Sequence, residues 1–118
     1  MKLYTLDGKY IKETQELPDG FTGCAHYGDL SSPDKSWFID GAYARADGGP
    51  NCVYNDGEQR WYEGRAGHPP IKLHRIGGPA QIIPTQVNNE FYWIDGKPVT
   101  KESHDFLVNI LRLKNVLP

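Results

Sequence analysis

Apolar residues in this chain come in short runs that end on Asp-Gly or Gly-Pro, and only one stretch, near the end, spaces them with a helical period. The strongest run is Phe91-Tyr92-Trp93-Ile94-Asp95-Gly96-Lys97. Aromatic and β-branched residues suit a half-buried pleated surface, and Asp-Gly supplies the positive-φ positions of a tight hairpin turn. The phrase recurs. Trp37-Phe38-Ile39-Asp40-Gly41 is nearly a copy, Trp61-Tyr62-Glu63-Gly64 a shortened one and Tyr4-Thr5-Leu6-Asp7-Gly8 a softer one. The pattern predicts a meander of antiparallel hairpins with turns at glycines 8, 41, 64 and 96.

Between these units lie the connections. Residues 2–6 and 9–13 read as the arms of a first hairpin, 21–27 as another strand, and 28–35 as a polar surface loop. Asn55-Asp56-Gly57 marks a further hairpin between Cys52-Val53-Tyr54 and Gln59–Tyr62. Residues 65–70 read as a loop. Arg45 and Arg75 each precede a Gly-Gly-Pro bend, where glycine permits positive φ and proline removes a ladder donor. From Lys101 onward Phe106, Leu107, Ile110, Leu111 and Leu113 form one apolar stripe, with Thr100 as N-cap and Arg112 and Lys114 at the C-terminal end. This helix is expected to cover one face or end of the sheet.

Composition agrees with that picture. The 13 glycines, 9 prolines and 14 aromatics in 118 residues favour short strands and sharp turns in a single domain. It divides into an N-terminal hairpin region (1–35), the repeats (36–98) and the closing helix (99–118). A net charge of −2 gives no electrostatic drive toward nucleic acid or an anionic membrane. No apolar run is long enough to span a bilayer, and the first residues carry no export signal, so the expectation is a cytoplasmic protein with no membrane partner. Cys24 and Cys52 are then expected to be reduced thiols.

The units Trp37–Gly41 and Phe91–Lys97, linked by His74-Arg75-Ile76-Gly77-Gly78-Pro79-Ala80, resemble MORN-like variant repeats. These run aromatic-x-x-Gly-Lys, then His-Arg-x-x-Gly-Pro-Ala, then an aromatic strand. The resemblance covers residues 36–114, and Trp61–Gly64 matches the start of an ordinary unit. Residues 1–35 match only through Leu6–Lys9, Ala44 stands where a His would precede Arg45, and the Gly48-Gly49 turn is longer. Such repeats occur in small proteins of bacteriophages and large viruses and in bacterial antitoxin-like proteins. The resemblance implies a mainly β array of hairpins, a viral or accessory origin, and a scaffold or binding module without catalytic residues or cofactor.

Candidate chemistry is sparse. His74 and Arg75 either present donors to an anion or hold the repeat together, with Arg75 stacked on an aromatic and bonded to turn carbonyls. Cys24 and His26 lack an orienting third group for nucleophilic catalysis, and His104, beside the N-cap, is expected to be solvated. Two cysteines and scattered histidines do not make a metal site. The binding residues expected are Trp61, Tyr62, Arg65, His68, His74 and Arg75, in the stretch that differs most between copies. The leading expectation is a non-enzymatic protein, phage-encoded, that binds and modulates a host protein in the host cytoplasm. The alternative is a nucleotide sponge using Arg65, His74 and Arg75, with a small hydrolase or nuclease as a third reading. An uncovered hairpin edge is a route to a homodimer.

Overall fold

The computed structural model describes residues 1–28 and 33–114, so half of the loop expected at 28–35, residues 29–32, lies outside the described residues. The protein is mainly β. Twelve antiparallel strands form an open sheet, and one C-terminal helix packs on it. The strands are β1 (Lys2–Tyr4), β2 (Tyr10–Glu13), β3 (Gly23–His26), β4 (Lys35–Ile39), β5 (Ala42–Tyr43) and β6 (Cys52–Val53). They continue with β7 (Gln59–Arg60), β8 (Tyr62–Arg65), β9 (His68–Leu73), β10 (Gln81–Ile82), β11 (Glu90–Ile94) and β12 (Lys97–Val99), and the helix α1 spans Lys101–Leu113. The main path runs β12-β11-β10-β7-β6-β4-β3-β1-β2, and a second branch leaves β4 through β5 to β8 and β9.

Two of the Asp-Gly phrases fold as the sequence predicts, whereas at Asp7-Gly8 only the glycine takes positive φ. Asp40 and Gly41 take φ of 50° and 80°, and Asp95 and Gly96 take 51° and 78°, the paired positive values that match the twist of two antiparallel strands. Opposed residues of an antiparallel ladder share a face, and one such row crosses most of the sheet. It contains Leu3, Ala25, Ser36, Cys52, Arg60, Gln81 and Phe91. Its first four members are buried. Two of these are polar or weakly polar, and they satisfy each other: Ser36 Oγ lies 3.3 Å from Cys52 Sγ. On the same face Phe38 joins Leu3, Ala25 and Phe21 as the core, with Tyr43 packed against it.

Three expectations are corrected. Residues 65–70 are not a loop: β8 and β9 form a hairpin whose turn is Ala66-Gly67, with Arg65 paired to His68. Pro69 and Pro70 are tolerated because β9 pairs only with β8, leaving its other edge without a partner that needs amide donors. Gly64 is not a turn glycine. It sits where the β8–β9 register shifts, at φ 133°, and a side chain there would come 2.8 Å from the Pro70 carbonyl. A bulge of this kind takes a residue without Cβ.

The third correction concerns the helix. Its buried residues are His104 and Val108; Leu107, Ile110 and Leu111 of the expected stripe are half-buried, whereas Phe106 and Leu113 are exposed. His104 is therefore buried, not solvated. Spacing alone does not choose between adjacent stripes of an amphipathic helix; the sheet surface does. Thr100 caps the helix as expected, its hydroxyl accepting from the Ser103 amide at 3.1 Å.

Candidate functional site

Arg45 and Arg75 build the same device twice. The Arg45 guanidinium lies 4.0 Å over the Trp37 ring and donates through Nη1 to the Pro50 carbonyl at 3.2 Å. Arg75 lies 3.9 Å over Trp61 and donates to the Pro79 carbonyl at 3.1 Å. On the far side of each guanidinium sits a glycine of the bend, where a Cβ would meet the Arg45 Cζ at 3.2 Å from Gly49 or the Arg75 Cζ at 3.2 Å from Gly78. Each unit is a sandwich of indole, guanidinium and glycine. The amide before each arginine closes it, Ala44 donating to the Trp37 carbonyl and His74 to the Trp61 carbonyl. Trp61 also links the two units, since its Nε1 donates to the Gly48 carbonyl at 3.1 Å.

The corresponding aromatics at the two ends carry histidines instead. Tyr4 packs with His26 at 4.3 Å between centroids and Tyr92 with His104 at 4.9 Å. His104 Nε2 donates to the Arg75 carbonyl at 2.8 Å, which ties the helix to the second sandwich. No feature of helical periodicity marks His104. The repeat alignment would have found it, because Tyr92 otherwise lacks the partner that Trp37 and Trp61 possess.

The six residues expected to bind therefore separate. Trp61 is buried and Arg75 is committed to it. Tyr62 is half-buried, accepting from Arg60 Nη1 at 2.7 Å, and its backbone is bridged in both directions by the Asn51 side chain. His74 Nδ1 accepts from the Asp95 amide at 2.8 Å, with Glu63 3.7 Å from its Nε2. Arg65 and His68 remain exposed, opposite each other at the tip of the β8–β9 hairpin. Neither joins the ion pairs formed among the described residues. They line a groove of about 560 Å³ whose other wall includes Met1, Leu17, Pro18 and Asp19. Arg65 stands at the tip of the hairpin, whereas His74 and Arg75 follow its far end at Leu73.

The thiols are unsuited to nucleophilic chemistry. Cys24 and Cys52 are free and buried, and burial pushes each thiol up to about 11. Since the thiolate is the reactive form, a thiol-specific disulfide reagent at neutral pH is expected to label the native protein slowly and both cysteines rapidly in denaturant. Fast stoichiometric labelling of the folded protein would contradict this burial. Among the described residues no group of three His, Cys, Asp or Glu side chains is placed to hold a metal ion, and no helix is long and apolar enough to cross a membrane. No family model, curated protein or solved structure matches the chain.

Proposed function

We propose that this is a non-enzymatic binding protein of the MORN-like hairpin kind, phage-encoded, which docks on a host protein in the host cytoplasm and modulates it. The observation that carries the reading is the groove at the β8–β9 tip. There Arg65 and His68 stand exposed beside apolar Met1, Leu17 and Pro18, while the other expected binding residues are held in internal contacts. Arginine next to apolar surface is a combination that dominates protein interaction hot spots, and an edge hairpin presents it without burial cost to the core. The repeated sandwiches support a scaffold role for the rest of the sheet.

The test is capture from a bacterial host by the tagged chain and by the double variant Arg65→Glu/His68→Glu. Both positions are exposed, so the thermal midpoint should stay within that of roughly a 0.5 kcal/mol change. The parent is expected to retain one host protein in stoichiometric amount and the variant to lose it. A parent that retains none, or a variant that retains it equally, removes the reading.

A further inference from the structure

The helix α1 is apolar on two sides. His104 and Val108 pack it on the sheet, and Leu111 continues that line half-buried. Phe106 stands two residues from both His104 and Val108, about 200° round a helix of this pitch, so it lies on the side away from the sheet. It is 68% exposed and Leu113 is 85% exposed, with half-buried Ile110 between them. Phe106, Ile110 and Leu113 fall at i, i+4 and i+7, the spacing of a helix–helix seam. The outer face of a surface helix is ordinarily polar, and an apolar seam there marks a contact with another molecule.

The charges on the helix indicate what that molecule is. Its first half carries Lys101, Glu102 and Asp105, and its end carries Arg112 and Lys114. Lys101 and Asp105 bond each other at 3.0 Å. Among the described residues Glu102, Arg112 and Lys114 join no ion pair, which leaves a net acidic start and a basic end. A second copy of the same helix laid antiparallel sets each acidic half beside the other's basic half, and each N-terminus beside the other's C-terminus. With Phe106 of one copy facing Leu113 of the other, Arg112 of each lies on the same flank as Asp105 of the other. The two are then within one turn along the axis. A parallel pair would set Arg112 against Arg112.

We propose that α1 pairs antiparallel with α1 of a second copy of this chain, about a two-fold axis, through Phe106, Ile110 and Leu113. The result is a sandwich of sheet, helix, helix and sheet. A two-fold contact uses one patch twice, and both halves of the charge pattern lie on this one helix. Three apolar side chains and their flanks from each copy reach only about the 1,000 Å² at which specific interfaces begin. The dimer is therefore weak, with a Kd of roughly 10–100 µM. The outer edge of β2 is a poorer route to a dimer, because its register shifts at Tyr10 and it carries Lys12, two features that blunt edge pairing. The helix seam is separate from the Arg65 and His68 groove, and either holds without the other.

The test is sedimentation velocity of the full chain from roughly 5 to 500 µM, a range that brackets a dimer of this strength. The parent is expected to pass from monomer toward dimer. Phe106→Glu should stay monomeric throughout and keep its thermal midpoint at low concentration, because the side chain is exposed. Arg112→Glu should weaken dimerisation by roughly fivefold, and Asp105→Arg/Arg112→Glu should recover most of it, since the swap preserves antiparallel complementarity. A parent that stays monomeric over the whole range, or a Phe106→Glu chain that dimerises as well as the parent, overturns the proposal. A dimer abolished by Phe106→Glu but indifferent to Arg112→Glu overturns the antiparallel arrangement. Arg65→Glu/His68→Glu should dimerise like the parent, so failure of the groove and failure of the helix seam are read separately.

Discussion

Replacing Phe38 with alanine is expected to lower stability by about 3–5 kcal/mol, the usual cost of deleting a fully buried aromatic. Phe38 is 0% exposed and touches the core on several sides. Its ring centroid lies 4.8 Å from that of Tyr43 and 6.2 Å from that of Phe21, and Leu3 and Ala25 complete the cluster. None of these neighbours is positioned to collapse into the space, since Leu3 and Ala25 are fixed on adjacent strands by the ladder. Domains of this size have a total stability of about 5–15 kcal/mol, so the change removes a large share of it. Thermal or denaturant unfolding measures it, with Val87→Ala as control because Val87 is 100% exposed. A loss for Phe38→Ala no larger than for the control would show that the core lies elsewhere.

The second large effect is expected at Gly23, which pairs with Phe38 across β3 and β4. Its φ is 149°, and a Cβ built there would lie 2.2 Å from the Tyr4 carbonyl oxygen and 2.7 Å from the Phe21 ring. The first contact is with backbone, which cannot swing aside as a side chain can. Backbone strain of this type costs about 1–3 kcal/mol, and displacement of β1 or of Phe21 adds to it. Gly23→Ala is therefore expected to destabilise by about 3 kcal/mol or more, against a few tenths for Gly48→Ala's steric part, since nothing lies within 4 Å of a Cβ there. Equilibrium unfolding of the two variants compares them. Equal losses would show that conformational freedom, common to both, outweighs the close approach at Gly23.

The sequence reveals these elements unevenly, for physical reasons. Asp40-Gly41 and Asp95-Gly96 are legible because the turn itself demands positive φ at both positions, and few residues supply it. Ala66-Gly67 performs a related turn without an Asx residue, and the two prolines that follow argue against a strand. Only knowledge that β9 is an edge strand removes that objection, and edge status is a property of the whole sheet. Glycine 64 shows the same ambiguity, because a bulge and a turn both select glycine. In the site, the stacking of Arg75 on an aromatic and its bond to a turn carbonyl were both legible from the recurrence of arginine before Gly-Gly-Pro. The burial of His104 is not legible from the helix pattern, since it depends on the bend at Gly77-Gly78 and on Tyr92; only the comparison of the repeats points to it.

β4 has a mechanical consequence. One edge of this five-residue strand is paired to β3 over Lys35–Phe38, while its other edge is shared in succession by β6 and β5. Every route from β1, β2 and β3 to the rest of the sheet passes along it. It acts as the keel between two wings, one made of β1 to β3 and the other of everything beyond β5 and β6. Strain applied at either end of the molecule is shed by opening an outer wing, whose last strands have a single neighbour, before it reaches the keel. The groove at Arg65 and His68 bridges the two wings, with Met1 and Leu17 on one wall and the β8–β9 tip on the other, so its width follows their movement about the keel.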